Sequence, residues 1–243
     1  MKAMILAAGR GERMRPLTDA TPKPLLVAGG QRLIEYHLAT LRTAGVREVI
    51  INHAWLGEQI EAALGDGSRY GLTIRYSPEP HGALETAGGI RHALPLLGDE
   101  PFWLVNGDVY CPPDWTHELA RAPVPDGKQT LAHILLAANP PHHPQGDFGI
   151  CAEGRATPRE ASERAYTYTG LGCYHPALFA HLADNQPAPL APLLFEAIAH
   201  NQLAASLYTG DWRDIGTPER LAALDKDLRA RASAARVQFS TST

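Results

Sequence analysis

Long apolar segments are missing from this sequence. No run of apolar residues approaches the roughly 18 that a membrane-spanning helix needs. The apolar run from Met4 to Ala8 is too short for the core of a secretory leader, and Gly9 and Arg10 follow it directly. The sequence therefore predicts a cytoplasmic protein that makes no contact with a membrane.

Cysteine is also scarce, with three residues in 243. Cys111, Cys151 and Cys173 are odd in number and have no CxxC spacing, so we expect reduced thiols and no disulfide framework. Two adjacent histidines, His142 and His143, suggest zinc ligands. Their side chains point apart on any extended chain, however, and the sequence offers no third ligand at a suitable spacing. A zinc centre is therefore not expected.

Positive charge is in the minority, because 22 lysines and arginines face 26 aspartates and glutamates, for a formal net charge of -4 and a pI near 6.2. Such a balance provides no general attraction for nucleic acid or for an anionic membrane, so any anionic ligand must be held by a local cluster. With 44% hydrophobic and 20% charged residues, the composition is that of a folded protein. Its 243 residues can bury a substantial core, as one large α/β domain or as two small ones.

A local cluster of positive charge lies in the opening stretch, Lys2 to Leu26. An apolar run predicts a first strand that ends near Ala8, and the segment Gly9-Arg10-Gly11-Glu12-Arg13-Met14-Arg15-Pro16 follows it. Glycines let backbone N–H groups approach phosphate oxygens, and four cations against two acids between Arg10 and Lys23 give a local charge of about +2. We therefore predict a polyphosphate-binding loop. An ordinary glycine-rich turn with solvated arginines is the alternative.

Two other phosphate-binding motifs are excluded. A Walker A loop requires glycine followed by lysine and then serine or threonine, and this order does not occur in the sequence. A dinucleotide-binding fingerprint requires a third glycine where Met14 stands. It also requires an acid at the end of the second strand, which here ends in Ile51-Asn52-His53.

Strand and helix patterns alternate through the first half of the chain. Helices are predicted for 31–44, for 55–64 and from Leu84 onward, and strands for 46–52, 72–76 and 101–106. This alternation predicts an α/β fold with a doubly wound, mostly parallel sheet that binds its ligand at the carboxyl ends of the strands. The apolar segment FWLVN should be a central strand that delivers Asp108 to that edge. Gly88 and Gly89 should let a helix approach another backbone closely.

Regularity is weaker in the second half. Strands are predicted for 129–137, 148–151, 165–174 and 204–208, the third alternating enough to be partly exposed, and helices for 176–182 and 190–199. A last helix should begin with Thr217 as its N-cap and Pro218 at its first position. Its basic end, 229–236, should be a solvated helix end that frays into 237–243.

The segment AAGRGERMRPLTDATPKPLL resembles LAAGxGxRMxPLTxxxPKPLL, the signature of the sugar-1-phosphate nucleotidyltransferases, and Trp212 to Pro218 is similar to their W-x-D-x-G-T-P motif. The resemblance covers nearly the whole chain. It implies a Rossmann-like, nucleotidyltransferase-type mixed sheet in a single domain with a smaller sugar-binding subregion. Residues 1–230 would form this domain, with a nucleotide-binding part at 1–107 and a sugar- and metal-binding part at 108–230, followed by a tail at 231–243.

The resemblance also implies roles for individual residues. Arg13 and Lys23 would be catalytic: Arg13 would hold the departing pyrophosphate, and Lys23 would bridge the α-phosphate and the incoming sugar phosphate, with Arg15 as a helper. Asp108 and Asp214 would hold Mg²⁺, and the alternative for Asp214 is a local Asx-turn. The nucleotide would be bound by Ala7, Ala8, Gly9, Gly11, Glu12, Arg13, Lys23, Gly82 and Ala83, and the sugar by Asn106, Gly149 and Thr169.

Within the family, the resemblance favours transfer of UMP from UTP to N-acetylmuramate α-1-phosphate, which yields a UDP-sugar for peptidoglycan recycling. Guanylyl transfer to mannose 1-phosphate and thymidylyl transfer to glucose 1-phosphate are the alternatives. Most relatives carry a Glu-Lys-Pro motif between Gly149 and Thr169, whereas this sequence has Ala161-Ser162-Glu163-Arg164. That departure is compatible with a bulkier sugar that carries acetyl and lactyl groups.

A different class of protein, a non-catalytic regulator that binds sugar nucleotides, would be expected to lack one of the four charged residues assigned to catalysis and metal binding, and all four are present. The expected partners are a nucleoside triphosphate and a sugar 1-phosphate, with no nucleic acid, membrane or obligate protein partner indicated. Glu85 and Thr86 would either line the nucleotide pocket or begin a buried helix.

Overall fold

A computed structural model describes residues 1–240 of the protein, and side chains through residue 234. The helices are α1 (Leu33–Thr43), α2 (Gly57–Leu64), α3 (Glu85–Leu97), α4 (Trp115–Arg121), α5 (Leu190–Ala199) and α6 (Pro218–Ser240). The strands are β1 (Lys2–Leu6), β2 (Val27–Ala28), β3 (Gln31–Arg32), β4 (Glu48–His53), β5 (Thr73–Pro78), β6 (Phe102–Asn106), β7 (Val109–Tyr110), β8 (Ala132–Ala137), β9 (Phe148–Ile150), β10 (Ala156–Pro158), β11 (Thr167–Tyr174), β12 (Leu203–Leu207) and β13 (Arg213–Asp214).

Seven of the strands within residues 1–240 form one central sheet, in the order β12-β8-β11-β6-β1-β4-β5. Strand β11 runs antiparallel to both of its neighbours, and the remaining pairs are parallel. The prediction of a mostly parallel, mixed sheet is therefore confirmed. Strand β6 occupies the middle position, as its wholly apolar sequence predicts.

Helices cover both faces of this sheet. Ala3 and Ile5 of β1 pack into one core together with side chains of α1, α2 and α4, such as Ile34. Met4 points to the opposite core, which includes residues of α3 and α5. Because successive side chains of a strand point to opposite faces and both faces are buried, β1 is apolar without interruption.

Strand β11 and the helix after it differ from the sequence-based expectation. The predicted partial exposure of 165–174 is wrong, because β11 lies between β6 and β8 and seven of its eight residues are buried. In place of a helix over 176–182, the chain makes a short 3-10 turn, Pro176–Phe179. The ring of His175 caps this turn by accepting a hydrogen bond from the amide of Ala177 at 3.1 Å.

Strands β7 and β13 pair in antiparallel fashion and connect the end of the chain to the middle of the sheet. Asp214 lies opposite Val109, and the amide of Ile215 donates to the carbonyl of Asp108 at 3.1 Å. Strand β7 follows β6 closely in the chain, since two residues, Gly107 and Asp108, separate the two strands. A two-residue strand has no periodicity that sequence reasoning can detect, so this pairing was not predicted.

Helix α6 packs Leu221 and Leu224 into a third core with Ala28 of β2, and Leu228 lies against the same cluster. The helix continues through residue 230, where the sequence suggests the start of a tail, to Ser240. The last part of the predicted tail, 241–243, lies outside the described residues. Within residues 1–240, none of the helices has the length and apolarity needed to cross a membrane.

Candidate active site

The carboxyl ends of β1, β4 and β6 open into a cleft of about 450 Å³, which we call the phosphate cleft. Open α/β sheets bind their ligands at this edge. Its walls come from the N-terminal loop, the end of β6 and the start of α3. The lining residues are Leu6, Ala7, Ala8, Gly9, Gly11, Glu12, Arg13, Met14, Lys23, Pro24, Asn52, Ala83, Glu85, Thr86, Asn106, Gly107, Asp108 and Gly216.

Gly11 gives the N-terminal loop its shape. Its backbone is left-handed, with φ +67°, and it precedes a 3-10 turn, Glu12–Met14. A Cβ at this position would lie 3.0 Å from Cγ2 of Thr18, so a larger residue would be both strained and crowded. The hydroxyl of Thr18 donates to the Gly11 carbonyl at 2.8 Å and closes the loop.

Of the four cations in this loop, two line the phosphate cleft. Arg13 and Lys23 contribute to its wall. Arg10 lies instead over the ring of Trp55, 4.5 Å from the ring centroid, and Arg15 forms an exposed ion pair with Asp19 at 2.9 Å. The structure thus separates the two residues predicted to be catalytic from the two other arginines, and it gives Arg15 no place at the cleft.

Lys23 is the more constrained of the two cleft cations. It sits between Pro22 and Pro24, is 7% exposed, and places Nζ 2.7 Å from Oδ2 of Asp108. Gly107 allows Asp108 to reach this position, because the Gly107 amide donates to the Leu6 carbonyl at 2.9 Å and a Cβ on residue 107 would lie 2.6 Å from the same oxygen. Burying an ammonium group is costly unless an opposite charge is hydrogen-bonded to it, and Asp108 provides that charge.

Asp214 comes from the other end of the chain and lies next to Gly216, which lines the phosphate cleft. Its carboxylate contacts the guanidinium of Arg220, and Nε2 of His142 lies 3.2 Å away. A Cβ on Gly216 would be 3.0 Å from Oδ1 of Asp214 and 3.3 Å from Nη2 of Arg13, so the two side chains meet around this glycine. Within the described residues, the hydrogen-bond partners of the carboxylate are side chains, which argues against an Asx-turn.

Asp108 and Asp214 could hold a magnesium ion whose remaining ligands are phosphate oxygens and waters. The pairing of β7 with β13 brings the backbones of Asp108 and Asp214 together. Asp108 lines the phosphate cleft, and the Asp214 carboxylate lies beside Gly216 of its wall. Within residues 1–240, no group of three His, Cys, Asp or Glu side chains is arranged to hold a metal. Mg²⁺ is usually held by one or two carboxylates together with phosphate oxygens and waters, so two acids suffice.

The adjacent histidines, His142 and His143, contact different acids. His142 contacts Asp214, whereas Nε2 of His143 lies 3.0 Å from Oδ1 of Asp147. Their divergence agrees with the sequence argument against a zinc pair.

A buried hydrogen-bond network behind the cleft was missed by sequence reasoning. Oδ1 of Asn52 accepts from the amide of Ala7 at 3.0 Å, and its Nδ2 donates to Oε1 of Glu79 at 2.7 Å. The other oxygen of Glu79 accepts from the amide of Leu84 at 2.7 Å. The network therefore connects the phosphate loop, the end of β4 and the start of α3. Its signal in the sequence was a polar residue, Asn52, directly after the apolar run Val49-Ile50-Ile51 of β4.

A second cleft of about 610 Å³, the distal cleft, adjoins the first and shares Glu85, Thr86 and Asn106 with it. Glu85 and Thr86 begin α3 and line both clefts, and neither residue is buried. Glu85 is exposed and has φ +57°, a backbone conformation that is strained for any residue with a Cβ. The other lining residues are Gly146, Asp147, Phe148, Arg159, Glu160, Tyr168, Pro189, Leu190, Ala191, Leu194 and Phe195.

The residues predicted to bind sugar and base are only partly at the clefts. Asn106 lines both clefts, and Ala83 lines the phosphate cleft, next to the exposed Gly82. Thr169 is fully buried, with its hydroxyl donating to the Leu135 carbonyl at 2.8 Å. Gly149 is also buried, and neither it nor Thr169 lines either cleft. The structure thus gives these two residues no direct contact surface for a ligand.

This geometry defines a class of protein: an α/β protein whose strand ends present amides, cations and carboxylates to a phosphorylated ligand. Comparison with known sequences identifies the family to which the protein belongs. The profile of the nucleotidyl transferase family matches residues 2–231, and the chain belongs to this family of enzymes.

Two bacterial proteins named N-acetylmuramate alpha-1-phosphate uridylyltransferase are similar to the chain over nearly its full length. The protein from Neisseria meningitidis serogroup B is 51% identical over 235 residues, which cover 96% of this chain and 99% of that protein. The protein from Caulobacter vibrioides is 34% identical over 237 residues, which cover 93% of this chain and 96% of that protein.

A solved structure has the same fold. The inositol-1-phosphate CTP transferase from T. maritima matches with a TM-score of 0.74 at 19% sequence identity, and the match covers 94% of each chain. The nucleotidyltransferase-type sheet expected from the sequence is therefore confirmed.

Proposed function

We propose that this enzyme transfers UMP from UTP to N-acetylmuramate α-1-phosphate and releases pyrophosphate. The observation that carries the proposal is that Arg13, Lys23 and Asp108 line one phosphate cleft, and that the Asp214 carboxylate lies beside Gly216 of the same wall. The choice of base and sugar is supported by the two relatives of that name, which align over nearly the whole chain.

In the reaction, a phosphate oxygen of the sugar 1-phosphate attacks the α-phosphorus of the triphosphate. A new bond forms from that oxygen to phosphorus, and the bond from the α-phosphorus to the bridging oxygen of the β-phosphate breaks. The bond electrons leave with pyrophosphate. Because the attacking group is already an anion, no strong general base is needed, and catalysis depends on positioning and on stabilising charge.

The chain's own residues supply this stabilisation. Amides of the loop at Gly9 and Gly11 bind phosphate oxygens, and Arg13 stabilises the negative charge of the departing pyrophosphate. Lys23, held at the base of the cleft by Asp108, lies between the α-phosphate and the incoming sugar phosphate. Asp108 and Asp214 would hold Mg²⁺, which neutralises charge on the phosphate oxygens when bound.

The base and sugar are assigned to opposite sides of this centre. We assign the base to the backbone at Gly82 and Ala83, which the network of Asn52 and Glu79 holds against the phosphate loop. The sugar extends past Asn106 into the distal cleft, because Asn106 belongs to the walls of both clefts. Since UTP is the donor, we place the reaction in the cytoplasm, where its UDP-sugar product would feed peptidoglycan recycling.

A panel of substrates tests the proposal. UTP, GTP and dTTP are each combined with the 1-phosphates of N-acetylmuramate, mannose and glucose, and pyrophosphate release is measured with Mg²⁺ present. We expect the highest kcat/KM for UTP with N-acetylmuramate 1-phosphate. A preference for GTP with mannose 1-phosphate, or for dTTP with glucose 1-phosphate, would assign the alternative activity. Nucleotide binding without turnover of any pair would indicate a non-catalytic regulator.

A further inference from the structure

The distal cleft combines an apolar wall with a single cation. Phe148, Leu190, Leu194 and Phe195 form the apolar side, and Phe195 is 46% exposed although it is a large aromatic residue. The rings of Phe148 and Phe195 pack against each other with their centroids 5.4 Å apart. An unsubstituted hexose presents hydroxyl groups around its ring and would lose hydration against such a wall, so the wall suits a sugar that carries apolar substituents.

Arg159 is the one cation among the described residues that line this cleft. It lies at the start of a 3-10 turn, Arg159–Ala161, that follows β10. Its Nε donates to Oε1 of Glu160 at 2.6 Å and its Nη1 to Oε1 of Gln145 at 3.3 Å. A guanidinium has five N–H groups, so about three are not used by the described protein partners.

Among the described residues, Arg159 forms an ion pair with one of the three acids that line the cleft, Glu160, and not with Glu85 or Asp147. Asp147 already accepts hydrogen bonds at both oxygens, from His143 at 3.0 Å and from the amide of Tyr168 at 2.8 Å. Glu160 lies against the Nε edge of Arg159 and leaves most of the Nη groups free of it. The side chain of Arg159 is 44% exposed, so a carboxylate can reach those groups from the cleft.

We propose that Arg159 is a specificity-determining residue that binds the carboxylate of an ether-linked acid substituent on the sugar. This inference rests on the proposed function, in which the acceptor is a sugar with an acetamido group and a lactyl ether. The lactyl carboxylate accepts hydrogen bonds from the Nη groups of Arg159. The methyl groups of the acetamido and lactyl substituents pack against the wall formed by Phe148, Leu194 and Phe195.

The arrangement of the two clefts sets the direction of the sugar. Its phosphate lies in the phosphate cleft near Lys23, and the sugar ring passes the shared wall at Asn106 and Thr86. The substituted side of the ring then faces Arg159, the cation at the distal end. In this arrangement the phosphate of the sugar lies beside Lys23, and its lactyl carboxylate lies beside Arg159.

The test compares two acceptors that differ only in the lactyl ether, N-acetylmuramate 1-phosphate and N-acetylglucosamine 1-phosphate, in the wild-type enzyme and in Arg159→Gln. We expect Arg159→Gln to lower kcat/KM for the lactyl sugar about tenfold to a hundredfold, mainly through KM, because a hydrogen bond between charged groups is lost. Turnover of the sugar without the lactyl group should change less than about threefold, which also shows that the variant is folded. Arg159→Lys, which keeps the charge, should restore part of the preference.

Arg229→Gln is the matched control. This arginine is also exposed and paired with a neighbouring acid, Asp225 at 2.8 Å, and it lines neither cleft. Its substitution should leave the ratio of the two kcat/KM values unchanged. A wild-type preference for the lactyl sugar that survives in Arg159→Gln would overturn this inference alone. If the wild-type enzyme did not accept the lactyl sugar, both this inference and the proposed function would be wrong.

Discussion

Lys23 and Arg13 show how single residues define this site. Both belong to a loop with four cations, yet these two line the phosphate cleft while Arg10 and Arg15 have other partners. Lys23 is also nearly buried against Asp108. A charge held in place before the ligand arrives needs no reorganisation during the reaction, so it stabilises the transition state effectively.

Replacement of either cation should therefore lower turnover with folding intact. For Lys23→Ala and for Arg13→Ala we expect kcat to fall about a hundredfold or more, since a cation that stabilises phosphoryl-transfer charge can be worth roughly 10³ to 10⁵ in rate. Pyrophosphate release gives kcat, and circular dichroism shows whether the fold is retained. Arg15→Ala is the control, because Arg15 pairs with Asp19 at the surface, and it should remain active. Near-normal turnover in Lys23→Ala or Arg13→Ala would remove that residue from the mechanism.

The two aspartates make a separate prediction about metal. Asp108→Asn should abolish magnesium-dependent turnover, because it removes one of the two carboxylates that we propose as metal ligands, and the wild-type enzyme should be inactive in EDTA. Asp184→Asn provides the control: this acid is 51% exposed, lies 3.5 Å from His92, and is remote from the phosphate cleft. The measurement is the initial rate as a function of Mg²⁺ concentration. Turnover that persists unchanged in EDTA would exclude the metal.

At the scale of elements, helix α3 depends on a close approach to the segment before α5. The amides of Ala87 and Gly88 both donate to the carbonyl of Ala188, at 2.9 Å and 3.1 Å. A Cβ on Gly88 would lie 3.0 Å from the amide nitrogen of Ala188 and closer still to the carbonyl oxygen of Gln186. The sequence-based prediction that this glycine permits a close backbone approach is therefore confirmed.

Gly88→Ala should separate these two segments. We expect a loss of about 1 to 3 kcal/mol in the free energy of unfolding, the usual range for overpacking, measured by urea denaturation. Turnover should fall as well, because α3 contributes Glu85 and Thr86 to both clefts.

Gly9→Ala is the informative counterpart, since a Cβ on Gly9 would have no neighbouring atom within 4 Å in the described structure. It should keep its stability and lose activity, because the added methyl group lies in the loop to which we assign phosphate binding. Equal stabilities for the two variants would contradict this account of α3.

The central seven-stranded sheet connects the two halves of the molecule. Strands β6 and β11 are neighbours, so residues 1–107 and residues 108–230 share one hydrogen-bonded layer. A change in protonation within this layer should therefore affect the stability of the entire fold. His133 of β8 is such a group: it is 3% exposed, its Nε2 lies 2.8 Å from Oγ of Ser206 on β12, and burial lowers its pKa from 6.5 to about 4.

The lowered pKa of His133 predicts the direction of a pH effect. The folded protein keeps this histidine neutral down to a pKa of about 4, whereas the unfolded chain takes up a proton below about 6.5. The stability that neutral His133 permits is therefore fully present above about pH 6.5 and declines as the pH falls towards about 4. In His133→Gln, the slope of unfolding free energy against pH in this range should be smaller by up to about 1.4 kcal/mol per pH unit. Parallel slopes for wild type and variant, measured by urea denaturation, would contradict the assignment.

Much of the fold and part of the site were determined by the sequence alone. The glycine-rich loop, the alternation of strands and helices, the central position of β6 and the placement of Asp108 at its end all depend on residues that are neighbours in the chain. Local conformational rules act over such short distances: an apolar run forms a buried strand, and a left-handed turn requires glycine at position 11. These features were therefore predictable without coordinates.

The tertiary structure decided which distant residues meet. Two-residue pairing of β7 with β13 brings Asp214 to Asp108, and the network of Asn52 and Glu79 crosses three segments of the chain. The tertiary structure also buries Thr169 and places Arg159 in the distal cleft. The physical reason is that such contacts arise when whole elements pack against one another. Short ladders and single buried polar groups leave no periodic pattern in the sequence, so only packing determines their partners.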